Sequence, residues 1–244
     1  MKQLSSYPWL NWYVGMIRSI PESTFRWRFT PDQSSHETEI RLSAFSIGAT
    51  PVTWGMWKEY SVDTGMKMPV MPRWGYLDDH PVVNIGYDEI MNPKGFCSWA
   101  SSVVGFKLAL PTIAQWECAA RGGQNESRFP WGNEFEMSNI WCSQDPSVGM
   151  TAPVLRSSNI FRNNYGLFDM AGNVSQWCID FHNPGYYPCG INPVDDRPNK
   201  YDDRCVRGIA WDDNPVVGTM TVELRHWNHP EYGGSVRTGF RLTV

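Results

Sequence analysis

The sequence predicts an α+β domain dominated by ordered loops, on three observations. Helical periodicity is confined to the first half of the chain, and after residue 129 only short strand-like pieces remain. Thirteen tryptophans accompany 18 prolines and 21 glycines, the composition of short elements pinned by large rings. At 244 residues the chain can bury a core without staples, and no linker or internal repeat divides it, so 1–244 reads as one domain.

The first 40 residues show no clear period. Trp9, Trp12, Tyr13 and Trp27 within them call for packing against the domain, in preference to an oligomer contact, because so many rings are rarely left in water. Residues 37–49 alternate partly and predict a strand, bounded by Thr50-Pro51. In TWGMWKEYSVDTG, Trp54, Trp57 and Tyr60 fall at helical spacing and Gly65 stops the helix. Pro93 splits 84–104, and Phe96, Trp99, Ala100 and Val103 form a helical stripe after it. LPTIAQWECAARGG, 110–123, is the sharpest local signal: Thr112 and Gln115 make a capping box, and Gly122-Gly123 ends the helix. Further on, 204–210 and the closing GFRLTV read as strands.

Composition narrows the partners. A net charge of -4 without a block of lysines or arginines excludes the electrostatic footprint of nucleic acid or of an anionic membrane. No apolar run approaches the ~18 residues of a membrane span, and Asn11 and Arg18 interrupt the opening stretch, so a cytoplasmic protein without membrane insertion is expected. The six cysteines are widely spaced, with no C-x-x-C, and read as buried free thiols.

Four groups of residues are candidates for chemistry. His226 and His229 lie three apart, with His182 the other histidine of this half, a conceivable metal triad. Cys205 is two residues from Arg207, which would lower a thiol pKa if the two met. Paired aspartates such as Asp212/Asp213 recur, but in an extended chain neighbours point to opposite sides and make poor acid–base pairs. YGLFDMAGNVSQW, 165–177, places Asp169, the backbone around Gly172 and Val174, and Gln176 in a glycine-containing turn; it serves either as a calcium loop or as a turn in which side chains cap backbone donors.

The ordered set PVT-x-x-x-W (51–57), HPVVNIGYDEI (80–90), LPTIAQWECAARGG (110–123), PWGNEF (130–135), NIW (139–141), APV (152–154), YGLFDMAGNVSQW (165–177), VRGIAW (206–211) and GFRL (239–242) resembles the formylglycine-generating-enzyme, or sulfatase-modifying-factor, family over nearly the whole chain from about residue 40. The resemblance implies a C-type-lectin-like fold with a ligand face in the C-terminal third. In the family's oxidase branch the motif G-G-S-aromatic is followed by two cysteines that bind copper. Here those positions read Gly208-Ile209-Ala210-Trp211, then Asp213 and Gly218, so no copper is expected. The family's calcium sites carry over better: Asn139, Ile140, Asp145 and Val148 match the first, and Asp169, Gly172, Val174 and Gln176 the second, where Gln176 replaces the usual glutamate.

Loss of the thiols implies a non-catalytic ligand-binding member. A subset of the fold serves as the variable proteins of diversity-generating retroelements, whose C-terminal segment is diversified at adenines. By that resemblance 204–244 is a ligand-display segment for a protein or cell-surface ligand. Its display positions are Trp211, Asp212, Asp213, Asn214, Val216, Val217, Gly218, Thr219, His226, Asn228, His229, Tyr232, Gly233, Gly234 and Ser235, a mixture with the chemistry of a paratope. The alternative is a metal-dependent oxidase or oxygenase with its site relocated to His182, His226 and His229 or to Cys205.

Overall fold

A computed structural model describes residues 3–29, 36–142, 149–155, 162–214, 221–230 and 234–244. Helix and sheet are mixed and short. Helix α1 (Pro8–Gly15) leads into strands β1 (Ile17–Ile20), β2 (Ser23–Phe29), β3 (His36–Leu42) and β4 (Phe45–Gly48). Helices α2 (Trp54–Thr64), α3 (Tyr87–Met91), α4 (Phe96–Val104) and α5 (Ile113–Ala120) follow. The remainder holds β5 (Ser175–Phe181), β6 (Gly190–Ile191), β7 (Arg204–Arg207), β8 (Arg225–Asn228) and β9 (Thr238–Gly239). No helix among the described residues is long and apolar enough to cross a membrane.

The predicted helices form for the predicted reasons. Thr53 caps α2, Gly65 ends it at φ 73°, and Trp54, Trp57 and Tyr60 are buried on one face. The capping box of α5 is present in both directions, Gln115 N to Thr112 Oγ1 at 3.0 Å and Thr112 N to Gln115 Oε1 at 2.9 Å. Phe96, Trp99, Ala100 and Val103 of α4 are all buried, and Phe96 stacks on Trp57 at 5.4 Å. The single strand expected over 37–49 is two, β3 and β4, which pair with β2 and β1 in different sheets. The N-terminal segment packs on this core: Glu59 accepts from the Trp9 and Leu10 amides at the start of α1 (2.7 and 3.0 Å), and the Tyr13 hydroxyl accepts from Leu242 N at 2.9 Å.

The sheet that matters for function runs β8-β7-β5-β9. Its central strand β5 is almost wholly buried, so its sequence SQWCIDF lacks the alternation that marks a half-exposed strand. Strand β7 stops at Gly208, whose φ of 76° turns the backbone past the Trp116 ring. The closing GFRLTV is only briefly a strand. Arg241 is drawn into the interior, where its guanidinium donates to the carbonyls of Gly48, Ala49, Phe168 and Asp169 and to Gln176 Oε1.

A buried ion network ties β7 to α5. Glu117 accepts from Arg207 at 2.7 Å and from Arg121 at 2.6 Å, with Glu117 and Arg207 wholly removed from solvent. Arg207 also donates to the Val222 carbonyl, which fixes the approach to β8.

Candidate functional site

Strands β7 and β8 pair antiparallel with Val206 opposite His226 and Arg204 opposite Asn228. Beside them β5 pairs parallel with β9, Ser175 opposite Thr238. Together with the turn after Trp211 these strands enclose a pocket of about 350 Å³, lined by Ser175, Val206, Asp213, His226, Trp227, Asn228, Ser235, Arg237 and Thr238. Asp213, His226, Asn228 and Ser235 are thus four predicted display positions that the fold brings to one place.

The pocket is polar and internally braced. Asn228 Nδ2 donates to Thr238 Oγ1 at 3.3 Å, Ser235 Oγ lies 3.4 Å from the same hydroxyl, and Arg237 N donates to Ser235 Oγ at 3.2 Å. Arg237 is held between two carboxylates, Asp212 Oδ1 at 3.0 Å and Asp213 Oδ1. Asp212 and Asp213 follow a turn rather than an extended strand, and Asp213 Oδ2 accepts from Ala210 N at 2.7 Å, which leaves both carboxylates at one guanidinium. Although His226 is exposed, desolvation by the surrounding atoms holds its imidazole below the usual histidine range, against the opposing pull of Asp213.

Trp211 is turned away from solvent. Its ring is buried, its Nε1 donates to the Val236 carbonyl at 3.0 Å, Trp74 packs edge-on at 5.5 Å and the Arg73 guanidinium covers it at 5.6 Å. These contacts make the ring a pin for the turn that follows β7. Asp212 and Asn214 are exposed, and His229 lies outside this pocket. Val216, Val217, Gly218, Thr219, Tyr232 and Gly233 lie outside the described residues. Gly234 sits at φ 65° against the Asn84–Ile85 backbone, a position in which a side chain has no room.

Sequence reasoning missed Trp227 and Arg237. Trp227 is 55% exposed and stacks on His182 at 5.7 Å, the kind of exposed aromatic that anchors recognition. Arg237 carries no local signal, because its partners Asp212 and Asp213 lie far upstream in the chain.

The relocated catalytic sites do not assemble. The three histidines do not converge: His226 lines the pocket described above, His182 stacks on Trp227, and His229 lines a different cavity. Among the described residues no three His, Cys, Asp or Glu side chains converge as a metal site. Cys205 is buried and its thiol is pushed up to about 12, because desolvation outweighs the nearby arginines, so it stays protonated rather than nucleophilic. No disulfide joins any of the six cysteines, and five of them are buried.

The two oxygen clusters differ. Asn139 closes a short 3-10 turn, Met137–Asn139, and adjoins Ile140. Asp145 and Val148 lie outside the described residues. In the second cluster Asp169 takes φ 54° and accepts from Asn173 Nδ2 at 3.0 Å. Gln176 Oε1 accepts from Arg241 Nε at 2.6 Å and Trp116 Nε1 at 2.8 Å, and its Nε2 donates to the Asp169 carbonyl at 2.7 Å. In this arrangement the Gln176 oxygen expected to serve calcium is engaged by the Arg241 cation. Gly172 and Val174 serve the same backbone framework, Gly172 bridging to Trp141 and Val174 packing against Gly239.

A loop-rich α+β scaffold that carries its polar pocket on a C-terminal hairpin is the C-type-lectin-like architecture. The chain belongs to the sulfatase-modifying-factor family: the model of the sulfatase-modifying factor enzyme 1-like domain matches residues 15–244. It is 37% identical over 198 residues to a formylglycine-generating enzyme of Thermomonospora curvata, covering 73% of this chain and 60% of that relative. It is 32% identical over 187 residues to the inactive C-alpha-formylglycine-generating enzyme 2 of Mus musculus, covering 72% of this chain and 53% of the relative. The chain thus spans little more than half the length of these relatives. Among solved structures, PvdO from Pseudomonas aeruginosa superposes with a TM-score of 0.77 over 93% of each chain, at 21% identity. Treponema denticola variable protein 1 superposes with a TM-score of 0.70 over 93% of this chain and 94% of that one, also at 21% identity.

Proposed function

We propose that the protein is a non-catalytic, ligand-binding member of its family, in the manner of a diversity-generating retroelement variable protein. The observation that carries this reading is the pocket: it gathers Asp213, His226, Asn228 and Ser235, and Asp213, at a position where the oxidase branch resembles a copper thiolate, is clasped to Arg237. A carboxylate engaged by a guanidinium supplies no soft ligand for Cu(I). The fold shared with a variable protein of Treponema denticola and the similarity to an inactive family member support the same direction.

The ligand is a protein or cell-surface molecule met by rigid rings, Trp227 foremost, and by adaptable polar groups such as Asn228 and Ser235. Calcium at Asn139 and Ile140, with Asp145 and Val148, would act as a structural brace. Comparison of the gene among close isolates tests the reading. Differences should concentrate in the codons for the display positions of 212–235 and match adenines of a nearby imperfect repeat beside a reverse transcriptase gene. A uniform segment with no such repeat would refute the retroelement assignment, and conversion of a sulfatase cysteine peptide by the copper-loaded protein would refute the non-catalytic one.

A further inference from the structure

Past the Arg204–Asn228 cross-strand pair lies a second cavity, of about 410 Å³, lined by Tyr87, Asp88, Phe181, Lys200, Tyr201, Asp202, Arg204, His229 and Pro230. Its volume falls within the range of small-molecule sites. Arg204 is held over two rings, its guanidinium carbon 4.3 Å from the Tyr87 centroid and 3.3 Å from that of Phe181. Nη1 donates to the Ile179 carbonyl at 2.9 Å, while Nε is buried with no hydrogen-bond partner.

Four charges share this cavity: Lys200 and Arg204 on one side of the balance, Asp88 and Asp202 on the other. Among the described residues none of the four forms an ion pair, with each other or with any further group. Lys200 instead lies over the Tyr201 ring, 5.0 Å from its centroid. Opposite charges in one small cavity ordinarily close on each other. Here the clamp on Arg204 prevents it, and separated cations and carboxylates remain to be bridged by a ligand that is itself dipolar.

We infer that this cavity binds a free α-amino acid. Its carboxylate meets the planar donors of Arg204 and the Lys200 ammonium, for which a guanidinium fixed by stacking is well suited. Its ammonium meets Asp88 and Asp202. Its side chain lies along the exposed Tyr201 ring and Pro230, which favours an apolar or aromatic residue. None of the four charged residues is a display position, so this site stands or falls independently of the retroelement reading.

The test is calorimetric titration of the full chain with each of the twenty protein L-amino acids, followed by the N-acetyl and amide derivatives of the tightest binder. At least one apolar or aromatic amino acid should saturate, and removal of either ligand charge should weaken binding tenfold or more, about 1.4 kcal/mol. Arg204→Gln removes a packed group as well as a charge, so Lys200→Gln and Asp202→Asn, both at exposed positions, carry the decision; each should weaken binding severalfold with an unchanged circular dichroism spectrum. No saturation by any amino acid up to about tenfold above a millimolar Kd would overturn the inference. Equal binding of the charge-blocked derivatives, or indifference to both variants, would overturn it as well.

Discussion

Replacement of Glu117 by glutamine keeps the side-chain volume and removes one charge from the centre of the molecule. Glu117 bridges Arg207 and Arg121 at 2.7 and 2.6 Å without any exposure to solvent. Arg121 retains Glu223 at 3.2 Å and the Asn125 and Ser127 carbonyls, so the group left uncompensated is Arg207, with only the Val222 and Glu223 carbonyls as acceptors. Breaking a buried pair by removing one partner costs about 3–5 kcal/mol. For a chain of this size each kcal/mol moves Tm by roughly 2–4 °C, so E117Q should melt roughly 6–20 °C below the wild type. Differential scanning calorimetry measures this directly. Hydrogen exchange should place the added opening in β7 and β8, since Arg207 is the link from that hairpin to α5. The double variant Glu117→Leu with Arg207→Met, in which the charges leave together, should recover part of the loss. A decrease below about 1 kcal/mol in E117Q would mean that solvent reaches the network and that its charges are screened as surface pairs are.

Asp180 offers a pH test. Burial pushes its carboxyl up to about 6 although it accepts from the Ile113 and Asp195 amides. Because the folded value lies above the unfolded ~3.9, the native state holds the proton longer, and this group's contribution to stability falls as pH rises from about 4 to 6. Tm measured across that window should decline more steeply in the wild type than in Asp180→Asn, and parallel curves would refute the assignment. Gly234→Ala should disrupt the connection between β8 and β9, since an added methyl overlaps the Asn84–Ile85 backbone at a left-handed φ of 65°; a native-like melting curve would contradict this. Thr112→Ala removes the cap of α5 and should lower stability by about 0.5–2 kcal/mol in a denaturant titration. If calcium braces the Asn139 turn, chelation should lower Tm by removing up to about 2.7 kcal/mol of stability when free calcium is at 100 times Kd. Gln176→Glu should destabilise or leave that response unchanged, because its oxygen serves Arg241; a newly gained calcium response would reverse the reading of the second cluster.

The local elements were legible because their causes are local. The cap at Thr112, the stop at Gly65 and the ring stripes of α2 and α4 are encoded within one or two helical turns, and the ordered motifs from residue 51 to 242 carried the family and hence the fold. Four of the pocket residues, Asp213, His226, Asn228 and Ser235, could be named from that order alone. What tertiary structure decided depends on groups distant in sequence. Strand β5 hides its period because both faces are buried. Gln176 cannot be separated from a calcium ligand until Arg241, 65 residues away, is seen to donate to it. Trp211 passes for an exposed anchor until Trp74 and Arg73 cover it, and the clamp of Tyr87 and Phe181 on Arg204 joins three segments that no spacing rule connects. Short-range chemistry is written in neighbouring residues, whereas burial and charge compensation belong to the packed chain, where a residue's partners are chosen by the fold.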